Sequence, residues 1–379
     1  MSINECYLDN SATTKPCKKA VENMLYAVEN CWGNPSSLHD KGIDADEMLL
    51  KARRAVAKSL SCDEKEIFFT SGGTEGNNLA IFGAAYKNRR KGNRVITTSV
   101  EHPSVGKAFD RLESEGFEVI RLKTDSFGRV SKDELFEAVN DKTILVSMMY
   151  VNNEVGAIEP VEEIARAVKL KNASALIHVD AVQAYGKLPI NVRKLGADLL
   201  TVSSHKIHGP KGVGALYIKN GTKLQPVAVG GGQEKDIRPG TEPMPAIMGF
   251  MGAVESLTVK ESLEKITALR DSFVEKLENT QGITVNSPDD ALPYIVNISL
   301  QKLNSETVLN FMSGMGIYVS SGSACSKGHK SPVLTAMGLS DEIINSSLRV
   351  SLSKYTTEEE LDFFVETAEK ALRTLAKRR

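Results

Sequence analysis

The chain has 379 residues, and 47 basic against 48 acidic side chains leave a net charge of −1, so nucleic-acid and membrane-surface roles have no electrostatic footprint. At roughly 150 residues per domain this length holds about two or three domains, each able to bury a core. The five cysteines are an odd number without CxxC spacing, which excludes a disulfide framework and a four-thiolate zinc site and fits a reducing cytoplasm.

The first residues, Met1 to Glu5, lack the basic-then-apolar pattern of a targeting segment, and no apolar run reaches the ~18 residues of a membrane span. In chain order, short β-branched runs predict strands at Glu66–Thr70, Arg94–Val100, Glu118–Leu122, Thr143–Tyr150, Ala175–Asp180, Asp198–Ser203 and Gly214–Ile218. Amphipathic helical stretches alternate with them. One is Asn77–Lys91, whose basic end followed by Gly92 is a helix C-terminus rather than a nucleic-acid patch. This alternation predicts βαβ units and a mostly parallel sheet. Past the glycines at 230–232 the pattern changes to one long helical stretch over about Pro245–Asn279, strands near Tyr294–Ser299, Ile317–Ser320 and Leu348–Leu352, and a last helix over about Thr357–Leu375. We expect a large α/β domain over 15–255 and a small α+β domain made of 1–14 and 256–379.

Ligands of open α/β sheets bind beyond the carboxyl ends of the strands. After the first large-domain strand, Ser71-Gly72-Gly73-Thr74-Glu75-Gly76 opens a helix, a phosphate cradle of free N–H groups that matches neither GxxxxGK[ST] nor GxGxxG. After the second comes Glu101-His102-Pro103, with Pro103 suited to the first helical position and His102 to the cap. After the fourth come Asn152-Asn153; after the fifth, Asp180, an acid closing an apolar strand, which needs a buried partner. After the sixth come Ser203-Ser204-His205-Lys206, where a lysine leaving an apolar strand can be desolvated and nucleophilic. Taken singly, each also reads as a turn, a cap or a surface residue. Together, a phosphate cradle, a ring-stacking imidazole, an acid for a pyridinium and a Schiff-base lysine are the parts of a pyridoxal phosphate site. A metal pair at His205 and His208 has the wrong spacing and no nearby third ligand.

A second concentration of signals is Ser320-Ser321-Gly322-Ser323-Ala324-Cys325-Ser326-Lys327-Gly328-His329-Lys330. Small polar residues around Cys325, with basic neighbours, suit a nucleophilic thiolate. Cys6, Cys17, Cys31 and Cys62 lie in or beside apolar patterns and read as packing residues. Arg349, in Ser347-Leu348-Arg349-Val350-Ser351, can fork onto a substrate carboxylate or serve a structural ion pair.

These stretches, together with Tyr7-Leu8-Asp9-Asn10-Ser11-Ala12-Thr13-Thr14, Thr70 to Asn78, Val151-Asn152-Asn153-Glu154-Val155-Gly156, His178-Val179-Asp180-Ala181-Val182-Gln183 and Arg238-Pro239-Gly240-Thr241, resemble the cysteine desulfurases in unbroken order over essentially the whole chain. The Cys325 segment is similar to that of the nitrogenase-associated and housekeeping iron–sulfur type. The resemblance implies the pyridoxal phosphate-dependent transferase fold of type I, aspartate-aminotransferase-like, with a mostly parallel seven-stranded sheet in the large domain. It implies a Schiff base at Lys206, phosphate contacts from Gly73, Thr74, Ser203, His205 and, across a dimer interface, Thr241. His102 would stack on the pyridine and act as an acid/base, Asp180 would hold the ring nitrogen, and Gln183 and Asn153 would touch the ring oxygen or substrate. Arg349 would grip the substrate carboxylate, and Cys325 would accept the sulfur and could transiently ligate an iron–sulfur cluster; no resident metal is implied.

The implied reaction converts L-cysteine to L-alanine in a cytoplasmic homodimer and hands persulfide sulfur to an acceptor protein, with no direct nucleic-acid or membrane partner. The stretch from Cys325 to Ala336-Met337-Gly338 is shorter than in the familiar housekeeping enzymes, and the chain ends at Lys377-Arg378-Arg379 without their longer tail. The acceptor therefore stays open between an iron–sulfur scaffold and a tRNA-thiolation enzyme. Selenocysteine lyase or another fold-type-I enzyme is the alternative activity.

Overall fold

The computed structural model describes residues 5–321 and 330–375. Among them the strands are β1 (Cys6–Tyr7), β2 (Ile67–Thr70), β3 (Arg94–Thr98), β4 (Glu118–Leu122), β5 (Thr143–Met149), β6 (Leu176–Asp180), β7 (Leu199–Ser203), β8 (Gly214–Ile218), β9 (Ile283–Val285), β10 (Ile295–Leu300), β11 (Ile317–Tyr318) and β12 (Ser347–Ser351). The α-helices are α1 (Lys18–Asn30), α2 (Asp40–Leu60), α3 (Gly73–Asn88), α4 (Pro103–Ser114), α5 (Lys132–Ala138), α6 (Val161–Lys171), α7 (Met244–Glu255), α8 (Val259–Glu278), α9 (Ser305–Gly314), α10 (Pro332–Ala336), α11 (Asp341–Asn345) and α12 (Glu358–Thr374). None of these helices is long and apolar enough to cross a membrane.

The expected sheet is seven-stranded, in the order β2-β8-β7-β6-β5-β3-β4. It is parallel throughout except for β8, which runs antiparallel to both its neighbours. Strands β5, β6, β7 and β8 are buried nearly end to end because helices cover both faces, and their Val, Ile and Leu runs suit that setting. Chain order reverses beside β3, since β4 lies on one side of it and β5 on the other. A crevice therefore opens at the carboxyl ends of these strands.

Helix α3 lies against this sheet with Leu79 to Ala85 buried, and its glycines permit the close approach. A Cβ at Gly76 would come within 2.6 Å of Thr201 Cγ2, and one at Gly73 within 2.8 Å of Val182 Cγ2.

A three-stranded antiparallel sheet, β12-β10-β9, packs with α8 and α12, and β1 pairs in parallel with β11. The first residues thus pair with a strand from the later part of the chain. The long helical stretch read over 245–279 is instead two helices, α7 and α8, broken at Ser256-Leu257-Thr258. α7 packs on α1 and α2, whereas α8 packs on β9 and α12, so the chain must turn between them.

Candidate active site

Gly73, Thr74, His102, Asn153, Asp180, Gln183, Ser203, His205, Lys206 and Arg349 line one cavity of about 600 Å³. The segments carrying them lie far apart in sequence, and the strand ends bring them together. Thr241 is exposed and lies away from this cavity, and Cys325 lies outside the described residues.

Lys206 ends a short 3-10 turn that follows β7, and its Nζ donates to the carbonyl oxygens of Ser11 at 2.5 Å and Ala12 at 2.7 Å. The N-terminal segment is held in place for this. Asn10 Nδ2 and the Ser11 amide bond Ser351 of β12, and Thr14 Oγ1 donates to the His205 carbonyl at 2.9 Å.

Asp180 closes β6 and is 6% exposed. Its Oδ2 accepts from Asn77 Nδ2 at 2.7 Å and its Oδ1 from the Val182 amide at 3.0 Å. Asn77 is itself held by Ser104 Oγ at 2.9 Å, so one carboxylate is oriented by α3 and by its own following turn. His102 caps α4, with Nδ1 accepting from the Ser104 amide at 3.1 Å. Burial pushes the His102 imidazole below its ordinary pKa, against the pull of Asp180. In that neutral ring Nδ1 is an acceptor, so the proton sits on Nε2.

At the amino end of α3 the turn through Gly72, at φ +144°, leaves the first helix amides unpaired toward the cavity. Beside it, Ser203 Oγ is buried and has no partner, and a Cβ at Gly72 would lie 3.7 Å from it. A recess of about 350 Å³ lined by Gly72, Gly73, Thr74, Ser203 and His205 adjoins the main cavity. Burial, then the nearby Lys206, brings His205 down to about 4, so it acts there as a neutral ring. An orphaned hydroxyl, a helix terminus and this recess fit a phosphate, and Asp180 fits a protonated ring nitrogen. The residues present therefore suit pyridoxal phosphate.

On the opposite side, Arg349 of β12 is 5% exposed. Its Nη1 donates to the Asn153 carbonyl at 2.8 Å and its Nη2 to Asp9 Oδ1 at 3.0 Å, while Nε is buried without a partner. Asp9 holds the guanidinium fork yet leaves it N–H groups for an incoming carboxylate.

Two acids and an amide here, Asn77 buried and Asp9 and Glu101 half-buried, carry no sequence signal of their own. Asn77 orients Asp180, Asp9 orients Arg349, and Glu101 lines the cavity with an unpartnered Oε2. Each stood inside a quoted stretch, and only its spatial partners reveal its part. His208, set aside as a metal ligand on its spacing, bonds the Lys15 carbonyl and sits edge-on to Tyr355. Cys6, Cys17 and Cys31 are buried, and burial pushes the thiols of Cys6 and Cys62 up to about 12, which keeps them protonated and inert.

Residues 6–364 match the class-V aminotransferase family. The chain is 44% identical over 375 residues to cysteine desulfurase IscS of Methanosarcina thermophila, covering 97% of this chain and 92% of that protein. A solved structure described as a NifS-like protein superposes with a TM-score of 0.93 at 40% identity, over 98% of this chain and 100% of that one. A structure of SspA in complex with cysteine does so with a TM-score of 0.82 at 35% identity, over 93% of this chain and 99% of that one. The chain belongs to the class-V aminotransferase family, within its cysteine desulfurases.

Proposed function

We propose that the chain is a pyridoxal phosphate-dependent desulfurase that converts L-cysteine to L-alanine and carries the released sulfur as a persulfide on Cys325. The observation that carries this reading is the single cavity in which Lys206, Asp180, His102 and Arg349 meet. The description of SspA in complex with cysteine supports L-cysteine as the substrate.

Gly73, Thr74, Ser203 and His205 would hold the phosphate, and Asp180, fixed by Asn77, would hold the ring nitrogen protonated. Bound there, the pyridoxal group supplies an electron sink that acidifies the substrate's Cα and weakens its carbon–sulfur bond. Lys206 would hold the group covalently, and its Nζ would carry the Cα proton. Gln183 and Asn153 would border the ring oxygen or the substrate, and Arg349 would take the carboxylate with the N–H groups that Asp9 and Asn153 leave over. His102 borders the substrate thiol as its acid/base, with Nε2–H as the proton it can give.

The Cys325 thiolate then attacks the substrate sulfur. A sulfur–sulfur bond forms, the carbon–sulfur bond breaks, and its electron pair stays with the carbon skeleton, which takes up a proton to leave as alanine. No external oxidant is consumed. The outer sulfur of the persulfide passes to a nucleophile of an acceptor protein, an iron–sulfur scaffold or a tRNA-thiolation enzyme, and the Cys325 thiol is restored.

A homodimer, with Thr241 reaching the partner's phosphate site, is supported by the exposure of Thr241 and by large apolar side chains in the open, such as Trp32 at 68% and Leu38 at 96%. The packing of α7 on α1 and α2 and of α8 on β9 and α12 supports the division of the chain at 255/256.

Two variants test the assignments. Lys206→Ala loses the visible absorption that wild type gains with pyridoxal phosphate, and an unchanged spectrum overturns the role of Lys206. Cys325→Ser keeps that absorption and loses alanine production at least a hundredfold; retained turnover overturns the role of Cys325.

A further inference from the structure

Lys187 lies in the turn after β6, four residues beyond Gln183, and is 5% exposed. Buried lysines ordinarily meet a carboxylate. Here the amine meets a carboxamide and a ring: Nζ donates to Gln183 Oε1 at 2.9 Å and lies 5.9 Å from the centroid of Tyr294.

The other end of the same carboxamide faces the reacting centre. Gln183 Nε2 donates to the Ser11 carbonyl at 3.0 Å, and that carbonyl also accepts from Lys206 Nζ. Lys187 and Lys206 together line a small cavity of about 30 Å³ with Asn10, Thr14, Tyr294 and Lys354, room for about one water. Lys206 and Arg349 are the charges that act on Lys187, and the imidazoles of His205 and His208 feel its charge in turn.

A carboxamide can sit either way round, and its partners decide which. The Lys187 ammonium can only donate, so it selects Oε1. Both N–H groups of Gln183 are then turned away from Lys187. One goes to Ser11, and the second is left for the cavity that Gln183 lines. Gln183 would thereby be a donor toward the ring oxygen, stabilising negative charge there and lowering the proton affinity of the Lys206 nitrogen once it holds the cofactor.

We propose that Lys187 is a positioning residue for the Lys206 chemistry, acting through Gln183, whose carboxamide it locks with the N–H groups toward Ser11 and the cofactor. The proposal rests on the cofactor assignment made above, and the test separates the two.

Holoenzyme loaded with pyridoxal phosphate is titrated with pH, and the midpoint of its visible absorption change is read. Lys187→Met is expected to raise this midpoint by about one pH unit, while Lys187→Arg, which still donates, keeps it. Gln183→Leu is expected to raise it as much, and adding Lys187→Met to Gln183→Leu then raises it no further. A wild-type midpoint in Lys187→Met, or full additivity in the double variant, overturns the proposal. If Lys187→Met does not fold, the midpoint must stay in Lys187→Arg and rise in Gln183→Leu, and any other pair of results overturns it. A wild-type protein with no titrating absorption, or one that Lys206→Ala leaves intact, overturns the cofactor assignment instead.

Discussion

The carboxyl group of Glu101 accepts from Thr98 Oγ1 at 2.6 Å and from the Met149 amide at 3.1 Å through Oε1, and its Oε2 is buried without a partner. Burial, with Asp180 adding to it, pushes its pKa from 4.5 up to about 8. The folded state therefore holds a proton that the unfolded chain releases in the ordinary carboxylate range. Its contribution to stability is fully present below about 4.5 and declines as pH rises toward about 8. Glu101→Gln, which keeps the shape without the titration, should gain on wild type by roughly a few kcal/mol between pH 5 and pH 8. Thermal unfolding at the two pH values checks this: the difference between variant and wild type must grow with pH. At this scale the sequence revealed types but not states. Glu101 sits next to His102 in the chain, yet its protonation is set by β3 and β5. Asn77 is 103 positions from the Asp180 it orients. Lys187 has the ordinary look of a turn lysine until Gln183 and Ser11 are placed around it.

Elements were far more legible. Glu118–Leu122 and Gly214–Ile218 coincide with β4 and β8, and the other large-domain strands differ by one or two residues at an end. Strands buried on both faces write continuous apolar runs, which few other elements do. The break between α7 and α8 was hidden because apolar periodicity continues across it. One contact at the break is tertiary, Lys354 Nζ donating to the Ser256 carbonyl at 2.8 Å, and one is local, Thr258 Oγ1 with Ser262 Oγ at 2.8 Å. Helix α10 follows the same logic. Ser331 caps it by accepting from the Leu334 amide at 3.1 Å and donates to the buried Glu154 Oε2 at 2.5 Å. Ser331 comes six positions after Cys325, so its docking fixes one end of the segment that carries the thiol. Burial pushes Glu154 up to about 7, and the Ser331 hydroxyl opposes this, so losing the serine leaves a buried carboxyl with one donor fewer. Ser331→Ala should cost about 1 kcal/mol in thermal unfolding and slow alanine formation several-fold with the cofactor spectrum unchanged. A variant with wild-type turnover would detach α10 from the chemistry.

At the scale of the molecule, the N-terminal segment joins the two sheets. β1 pairs with β11, Asn10 and Ser11 bond Ser351 of β12, and the Ser11 and Ala12 carbonyls meet Lys206 beside the large sheet. One short strap thus couples the sheet carrying Arg349 to the turn carrying Lys206. The phosphate side is less self-contained. Within one chain the recess that would take a phosphate has the amino end of α3, Ser203 Oγ and His205, whereas Arg238 is drawn to Glu75 at 3.4 Å and Thr241, three residues on, is exposed away from the cavity. If Thr241 serves the partner's phosphate, complementation must reveal it. Thr241→Ala alone should bind pyridoxal phosphate about tenfold more weakly, a loss of one charge-assisted hydrogen bond. Lys206→Ala alone should be inactive. In a mixed dimer of the two, the subunit that retains Lys206 receives Thr241 from the other, so one of its two sites is whole. Refolding equal amounts of both variants together should therefore restore turnover at limiting cofactor, to about a quarter of the wild-type rate if subunits pair at random, since half the dimers are mixed and each has one whole site. Should the mixture show only the weak-binding activity of Thr241→Ala, Thr241 acts within its own subunit or not at all.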